Sequence, residues 1–214
     1  MKIFFCDTET TGTNPLIHSI HQLSGMMVID GIIVETVNYN VRPHPQAKID
    51  EEALKVSGVT KEQILAYPEI ETVHKQFTDM LGKYVKKFDK TDKAYFAGYN
   101  THFDNDFVRQ LFDDVGDKYF GSWFWSDRIE VMTLASLMLR NKRASLVNFK
   151  LMTVANALGL IIDETKAHDA LYDIEVTKWI YDKYITMHHQ ELIPSVQRNS
   201  EINSINDLIS STIK

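Results

Sequence analysis

The stretch Phe4 to Gly12, FFCDTETTG, sends an apolar run into two acids one residue apart, Asp7 and Glu9. In a strand, residues two apart point to the same side, so the two carboxylates share a direction while Cys6 and Thr8 face the other way. Anions held that close repel. A strand end whose acids cap the following turn is the ordinary explanation, and a shared cation is the functional one. Two other stretches place acids in company. In YNTHFDNDF, Tyr99 to Phe107, a strand ends at Asn100 and Asp104 begins a helix; alone, such an Asp reads as a cap favoured by the helix dipole. In KAHDALYDIEVT, Lys166 to Thr177, His168 and Asp173 stand five residues apart, about 140° around a helix, so they cannot face one point if both are helical. His168 therefore belongs in the loop before a helix that Asp169 caps, with Asp173 on the first turns. The other histidines, His18, His21, His44, His74, His188 and His189, read as polar surface residues.

Acids at strand ends need a sheet to aim them. Lys2 to Cys6, Gln22 to Ile29 and Ile32 to Val41 read as strands, the last two joined around Asp30-Gly31. Asp-Gly between apolar runs is a hairpin signal, so three adjacent antiparallel strands are expected. Short helices follow at Asp50 to Val56, closed by Gly58, and at Thr60 to Ala66, with Thr60 as N-cap, Gln63 at the capping-box position and Pro68 as a stop. Val73, Phe77, Met80, Leu81, Tyr84, Val85 and Phe88 fall at helical spacing and predict one long helix over Ile70 to Phe88. Ala94 to Tyr99 reads as a strand. Phe103 to Asp114, Val131 to Leu139, Leu151 to Leu158 and a span from Asp169 to Met187 read as helices. Together they predict an α/β fold, a mixed central sheet flanked by helices. The main domain is placed at 1–186, with an extension over 187–214 that is partly helical. There Ile202, Ile205, Leu208, Ile209 and Ile213 keep a helical stripe, which suits either folding back on the domain or docking to a partner.

The three acidic stretches, in order and with their separations, resemble the motifs of the DEDD exonucleases in their histidine (DEDDh, DnaQ-like) branch. Here they stand as Asp7-Thr8-Glu9, Asn100-Thr101-His102-Phe103-Asp104 and His168-Asp169-Ala170-Leu171-Tyr172-Asp173. The sister branch carries tyrosine four residues before its last Asp, where this chain has Asp169. The resemblance covers about residues 2 to 186 and includes the linker IDEEALKVSGVTKEQI. It implies a ribonuclease-H-like fold and removal of nucleoside 5′-monophosphates from a 3′ end. Asp7 would bridge two divalent cations, Glu9 and Asp173 would complete the first site, and Asp104 would serve the second. His168 would accept the proton of the attacking water, since an unperturbed imidazole titrates near roughly 6.5. Phosphodiester chemistry makes the same demand, because two cations roughly 3.5–4 Å apart serve both the attacking and the leaving oxygen. Mg²⁺ suits such hard donors, and Mn²⁺ can substitute. Thr8, Thr10, Thr11, Asn100, Phe103 and Lys166 are expected at the substrate; for the threonines the structural alternative is turn formation, and for Phe103 a core anchor. Ser57 stands where many relatives have His, Gln22 where many have Glu, and His102 where a small residue is common.

Composition fits this reading without proving it. A chain of 214 residues, 44% hydrophobic and 11% aromatic, has ample material for one packed domain. Its single cysteine, Cys6, cannot form an internal disulfide, and no leader or apolar span is evident, so the chain reads as soluble and cytoplasmic. A net charge of −6 argues against a basic coat for nucleic acid, but only −2 would remain if four acids were cation ligands. Two basic runs, Lys83, Lys86, Lys87, Lys90 and Lys93, then Arg140, Lys142, Arg143 and Lys150, are candidate phosphate paths or plain solvated faces. The expected partners are 3′ ends of single-stranded or frayed DNA ahead of RNA, and a DNA polymerase or other replication protein, with no membrane. Competing readings are an RNA 3′ exonuclease, an idle module that binds nucleic acid or a polymerase, and a purely structural domain. Proofreading, repair and RNA processing stay open at this stage.

Overall fold

The computed structural model describes residues 1–163 and 169–187. Its sheet holds five strands, β1 (Lys2–Thr10), β2 (Ile20–Ile29), β3 (Ile32–Asn40), β4 (Ala94–Gly98) and β5 (Phe124–Glu130), in the order β3-β2-β1-β4-β5. β1 runs antiparallel to β2, and β2 antiparallel to β3, while β4 and β5 join parallel on the other side. The mixed sheet with three antiparallel N-terminal strands is the one the hairpin signal and the apolar runs predict. Asp30 and Gly31 both take positive φ at the β2–β3 turn, as a twist-matched two-residue hairpin requires.

β1 is central and covered on both faces, so side-chain alternation divides the core into two layers. Phe4 and Cys6 enter one layer with Phe77, Phe96, Phe107, Phe112, Phe120 and Phe124. That layer is closed by α3 (Ile70–Gly82), α4 (Thr101–Asp114) and the short α5 (Phe120–Trp123). Ile3 and Phe5 enter the other with Ala97, Val131, Ala135, Val154, Ala155, Ile174 and Ile180. It is closed by α6 (Val131–Met138), α7 (Leu151–Ala157) and a helix over 170–187, here α8. Between β3 and α3 lie α1 (Glu51–Ser57) and α2 (Lys61–Leu65), and a 3-10 turn at Arg143–Ser145 precedes α7. Thr60 and Gln63 form the expected reciprocal capping box, and Asp169 caps α8 by accepting from the amides of Leu171 and Tyr172 at 2.9 and 3.2 Å.

Three expectations are corrected. The long helix stops at Gly82 rather than Phe88. Just beyond it Lys83 and Tyr84 both reach Glu35 on β3, at 2.7 and 2.8 Å, and these cross-element bonds draw the chain off the helix axis. Phe88 is then 63% exposed at a φ of 73°, not part of the buried stripe. β5 and α5 have no counterpart in the sequence reading. β5 is an edge strand whose middle, Ser126 to Arg128, is exposed, so FWSDRIE lacks the alternation that marks a half-buried strand. Finally, His21 is 1% exposed and His74 half-buried against Phe112, at 4.6 Å between ring centroids, so neither is a surface histidine. The stripe assigned to the C-terminal extension lies outside the described residues.

The core tolerates little change in volume where β1 crosses β2. Gly25 lies opposite Cys6, and a Cβ built on it would fall 2.0 Å from Cζ of the fully buried Phe4. That ring is wedged against Phe77, Phe96 and Phe124 and has no free direction to yield. Gly25→Ala is therefore expected to destabilise the fold by about 1–3 kcal/mol through overpacking, read as a lower midpoint in urea unfolding at unchanged slope.

Candidate active site

Asp7 and Glu9 sit on the last turns of the β1 pleat, opposite Ser24 and Gln22 of β2, and the register shifts immediately after, between Glu9 and Thr10. Such a bulge ends regular pairing and re-aims the chain. By alternation both acids belong to the face that α6, α7 and α8 cover. Asp173, four residues into α8, approaches Asp7 from that layer closely enough to act on its charge. Asp104 comes from the opposite layer, from the first turn of α4, and is 4% exposed. At this strand end acids from the two layers converge, Asp104, Asp173 and Glu9 all acting on Asp7.

Electrostatics record that convergence. Burial first, then the charges of Asp104, Asp173 and Glu9, hold the Asp7 carboxyl well above the usual carboxylate range. Burial also raises Asp104, against two donors that favour its ionised form, the amide and the hydroxyl of Thr8, each 2.9 Å from Oδ1. Cys6 is pushed up by burial and by Asp104 and Asp7 beside it, which leaves it a thiol rather than a nucleophile. Among the described residues no three His, Cys, Asp or Glu side chains already form a metal shell. The donor chemistry nevertheless suits hard divalent cations: four carboxylates, one of them half-buried under the charge of the other three.

α4 is positioned by a residue that the sequence reading missed. Glu130, at the end of β5, accepts from the amides of Asn100 and Thr101 at 2.9 and 2.7 Å and from Met132 at 3.0 Å. One carboxylate thus serves the positive N-terminal ends of both α4 and α6. It also holds Asn100 at a φ of 66°, while the Thr101 hydroxyl bonds the carbonyls of Gly98 and Ile129 at 3.0 Å. Without a reading of β5, nothing in the sequence placed Glu130 beside Asn100.

The expected substrate residues fall into two groups. Asn100 is exposed, and Phe103 is half-buried against Phe107 at 4.8 Å between ring centroids, so part of its ring remains at the surface. The threonines are turned inward. Thr8 is spent on Asp104, the Thr10 hydroxyl donates to the Gly12 carbonyl at 2.6 Å, and Thr11 is wholly buried. The Thr11 amide goes to Ser19 O at 2.9 Å and its hydroxyl to Lys48 O at 2.7 Å. For Thr10 and Thr11 the turn-forming alternative is the one the geometry supports. His168 and Lys166 lie outside the described residues. The first lysine run precedes β4, at the strand end opposite Asp104. Lys83 is paired with Glu35 there, Lys93 bonds Gly121 O at 2.6 Å, and Lys87 stands over the rings of Phe88, Tyr119 and Trp123. It is no phosphate path to the acids.

Ser57 closes the site from the side of the linker. As the last residue of α1, before Gly58 at a φ of 67°, it donates its hydroxyl to Glu9 Oε2 at 2.7 Å. His21 Nε2 stands 3.3 Å from the same hydroxyl oxygen.

Comparison with known proteins agrees with this geometry. A protein-family model described as Exonuclease (RNase_T) matches residues 4–181. The PolC-type DNA polymerase III of Mycoplasmopsis pulmonis is 26% identical over 176 residues, 82% of this chain and 11% of the relative. That of Thermotoga petrophila is 25% identical over 206 residues, 96% of this chain and 13% of the relative. This chain thus spans little more than a tenth of the length of these relatives. Among solved structures, the zinc-bound form of the Escherichia coli ExoI–ssDNA complex superposes with a TM-score of 0.68 at 22% identity, covering 89% of this chain and 41% of that one. E. coli exonuclease I in complex with a dT13 oligonucleotide gives 0.66 at 20% identity, over 90% and 42%. The fold is shared with both.

Buried His21 makes stability depend on pH. Burial brings its pKa down to about 4, whereas the unfolded chain takes up the proton near roughly 6.5. Its contribution is complete above 6.5 and is lost as the pH falls toward 4, because only the unfolded state gains a proton in that window. In chelator, urea unfolding of wild type is expected to lose about 2 kcal/mol more between pH 7 and pH 5 than His21→Gln; equal losses would contradict the assignment.

Proposed function

The chain belongs to the exonuclease family whose model spans residues 4–181, and on that premise we propose that it is a metal-dependent 3′→5′ exonuclease acting on single-stranded DNA. The observation that carries the proposal is the gathering of four acids at one strand end, with half-buried Asp7 under the charges of buried Asp104 and half-buried Asp173 and Glu9. Such a cluster is costly unless cations are its normal company. Two divalent cations, Mg²⁺ or Mn²⁺, would supply water activation and neutralise charge at the leaving oxygen. Asp7 would hold both, Glu9 and Asp173 the first and Asp104 the second, while His168 would receive the proton of the attacking water. Thr8 aims Asp104 and opposes the protonation that its burial favours, since a carboxylate that accepts two hydrogen bonds resists protonation. Asn100 and the exposed part of Phe103 would meet the terminal nucleotides, the ring by stacking.

DNA is favoured over RNA because the relatives in sequence are DNA polymerases and the superposed enzymes hold DNA oligonucleotides. The polymerase relatives also make a replication protein a natural partner. No helix among the described residues is long and apolar enough to cross a membrane.

The test is degradation of matched 5′-labelled single-stranded DNA and RNA, with Mg²⁺ or with chelator. Wild type is expected to shorten DNA from its 3′ end only with metal. Asp7→Asn, nearly isosteric, should lose at least about 10³-fold in rate while remaining folded. Faster loss of RNA would reassign the substrate, and unchanged cleavage by Asp7→Asn would remove the proposed site.

A further inference from the structure

Glu9 is held by a directional chain of hydrogen bonds that reaches into the core. The Ser57 hydroxyl has a single proton and two acceptors in range, Glu9 Oε2 at 2.7 Å and Ala53 O at 3.3 Å. The shorter bond to a charged acceptor takes it. Ser57 is then left able only to accept from His21, so the proton of the neutral His21 ring must lie on Nε2, 3.3 Å away. Among the described residues His21 Nδ1 has no hydrogen-bond partner, which is tolerable for a bare acceptor and would not be for a buried N–H. The tautomer and the direction of the chain therefore fix each other: His21 Nε2–H to Ser57 O–H to Glu9.

Both donors are rigidly placed. His21 is on β2 next to Gln22, which pairs with Glu9, and Val41, just past the end of β3, donates its amide to His21 O at 2.9 Å. Ser57 is fixed by the end of α1 at Gly58 and by buried Leu54. The linker carrying α1 is itself docked on the bulge after Glu9, Asp50 N bonding Thr11 O at 2.8 Å and Lys48 O accepting from Thr11. Ser57 engages Oε2 of Glu9 and so steers the carboxylate from the side of the linker.

We propose that Ser57 and His21 are positioning residues that set the Glu9 carboxylate for a divalent cation, Ser57 by direct donation and His21 by holding Ser57. The proposal rests on the carboxylate reading of the site given above. It assigns a task to the serine that occupies a position where many members of the DEDDh branch have His. Outer hydrogen bonds of this kind typically carry roughly 10–100-fold in metal affinity or activity.

Mn²⁺ binding to the full chain, followed by titration calorimetry and by electron paramagnetic resonance, tests it without relying on turnover. Ser57→Ala is expected to bind Mn²⁺ about 10-fold more weakly, Ser57→Thr to stay within about 2-fold of wild type, and His21→Leu to lose several-fold. Because His21 acts through Ser57, adding His21→Leu to Ser57→Ala should weaken binding no further, a non-additivity that general loosening of the core would not produce. Thermal unfolding in chelator checks that each variant is folded, and Ser57→Ala, an exchange at a helix end, carries the test if His21→Leu does not fold. Wild-type affinity in folded Ser57→Ala, or full additivity in the double variant, would overturn the relay alone. A wild type that binds no Mn²⁺ would overturn the carboxylate reading and the relay with it.

Discussion

Repulsion among four crowded carboxylates, one buried and three half-buried, is the constraint around which the rest of the molecule is arranged. Asp7 lies half-buried at the end of a strand with both faces covered, and Asp104, Asp173 and Glu9 all act on its charge. A pair of unit charges a few ångströms apart interacts by roughly 4 kcal/mol even at an effective dielectric of 20. A fold that keeps such acids together must hold each one from outside the cluster. Thr8 holds Asp104 with two donors, Ser57 holds Glu9, and Glu130 fixes the start of the helix that carries Asp104.

The aromatic layer supplies the stiffness that this arrangement needs. Phe4, two residues before Cys6 and three before Asp7, is packed against Phe77, Phe96 and Phe124, and Phe120 links the same cluster to Phe112. Close packing of this kind transmits strain rather than absorbing it, so the end of β1 cannot drift when its acids repel. The acids come from both layers, and a shift of either layer against the sheet would separate them. Membership of the exonuclease family and the shared fold follow from the whole arrangement rather than from any one motif.

The sequence was most legible where local chemistry and global fold agree. Asp30-Gly31 marked its hairpin, Thr60 and Gln63 their capping box, Asp169 its helix, and the three acidic stretches converge in space as their strand and helix positions require. It was least legible where tertiary contacts decide. Phe88 kept helical spacing, yet Glu35 on a distant strand draws Lys83 and Tyr84 away and leaves Phe88 outside. β5 was hidden because its exposed middle lacks any apolar period, and with it went Glu130, whose role depends on lying next to Asn100. His21 looked like any other histidine, since burial is a property of β2 packing against the linker and leaves no mark on the neighbouring residues. Ser57 showed only as a departure from a family pattern. Its partner Glu9 is 48 residues away, beyond the reach of local patterns.

If cations relieve the repulsion around Asp7, they must stabilise the folded chain, and that link can be measured without substrate. The direct experiment is urea unfolding of wild type and Asp7→Asn across a Mg²⁺ titration at constant ionic strength. Wild type should gain stability with the logarithm of Mg²⁺ concentration above its dissociation constant, reaching about 2.7 kcal/mol per bound cation at 100 times that constant, while Asp7→Asn, with its repulsion already reduced, should start more stable in chelator and respond little. Parallel responses of the two proteins, or none in either, would contradict the account.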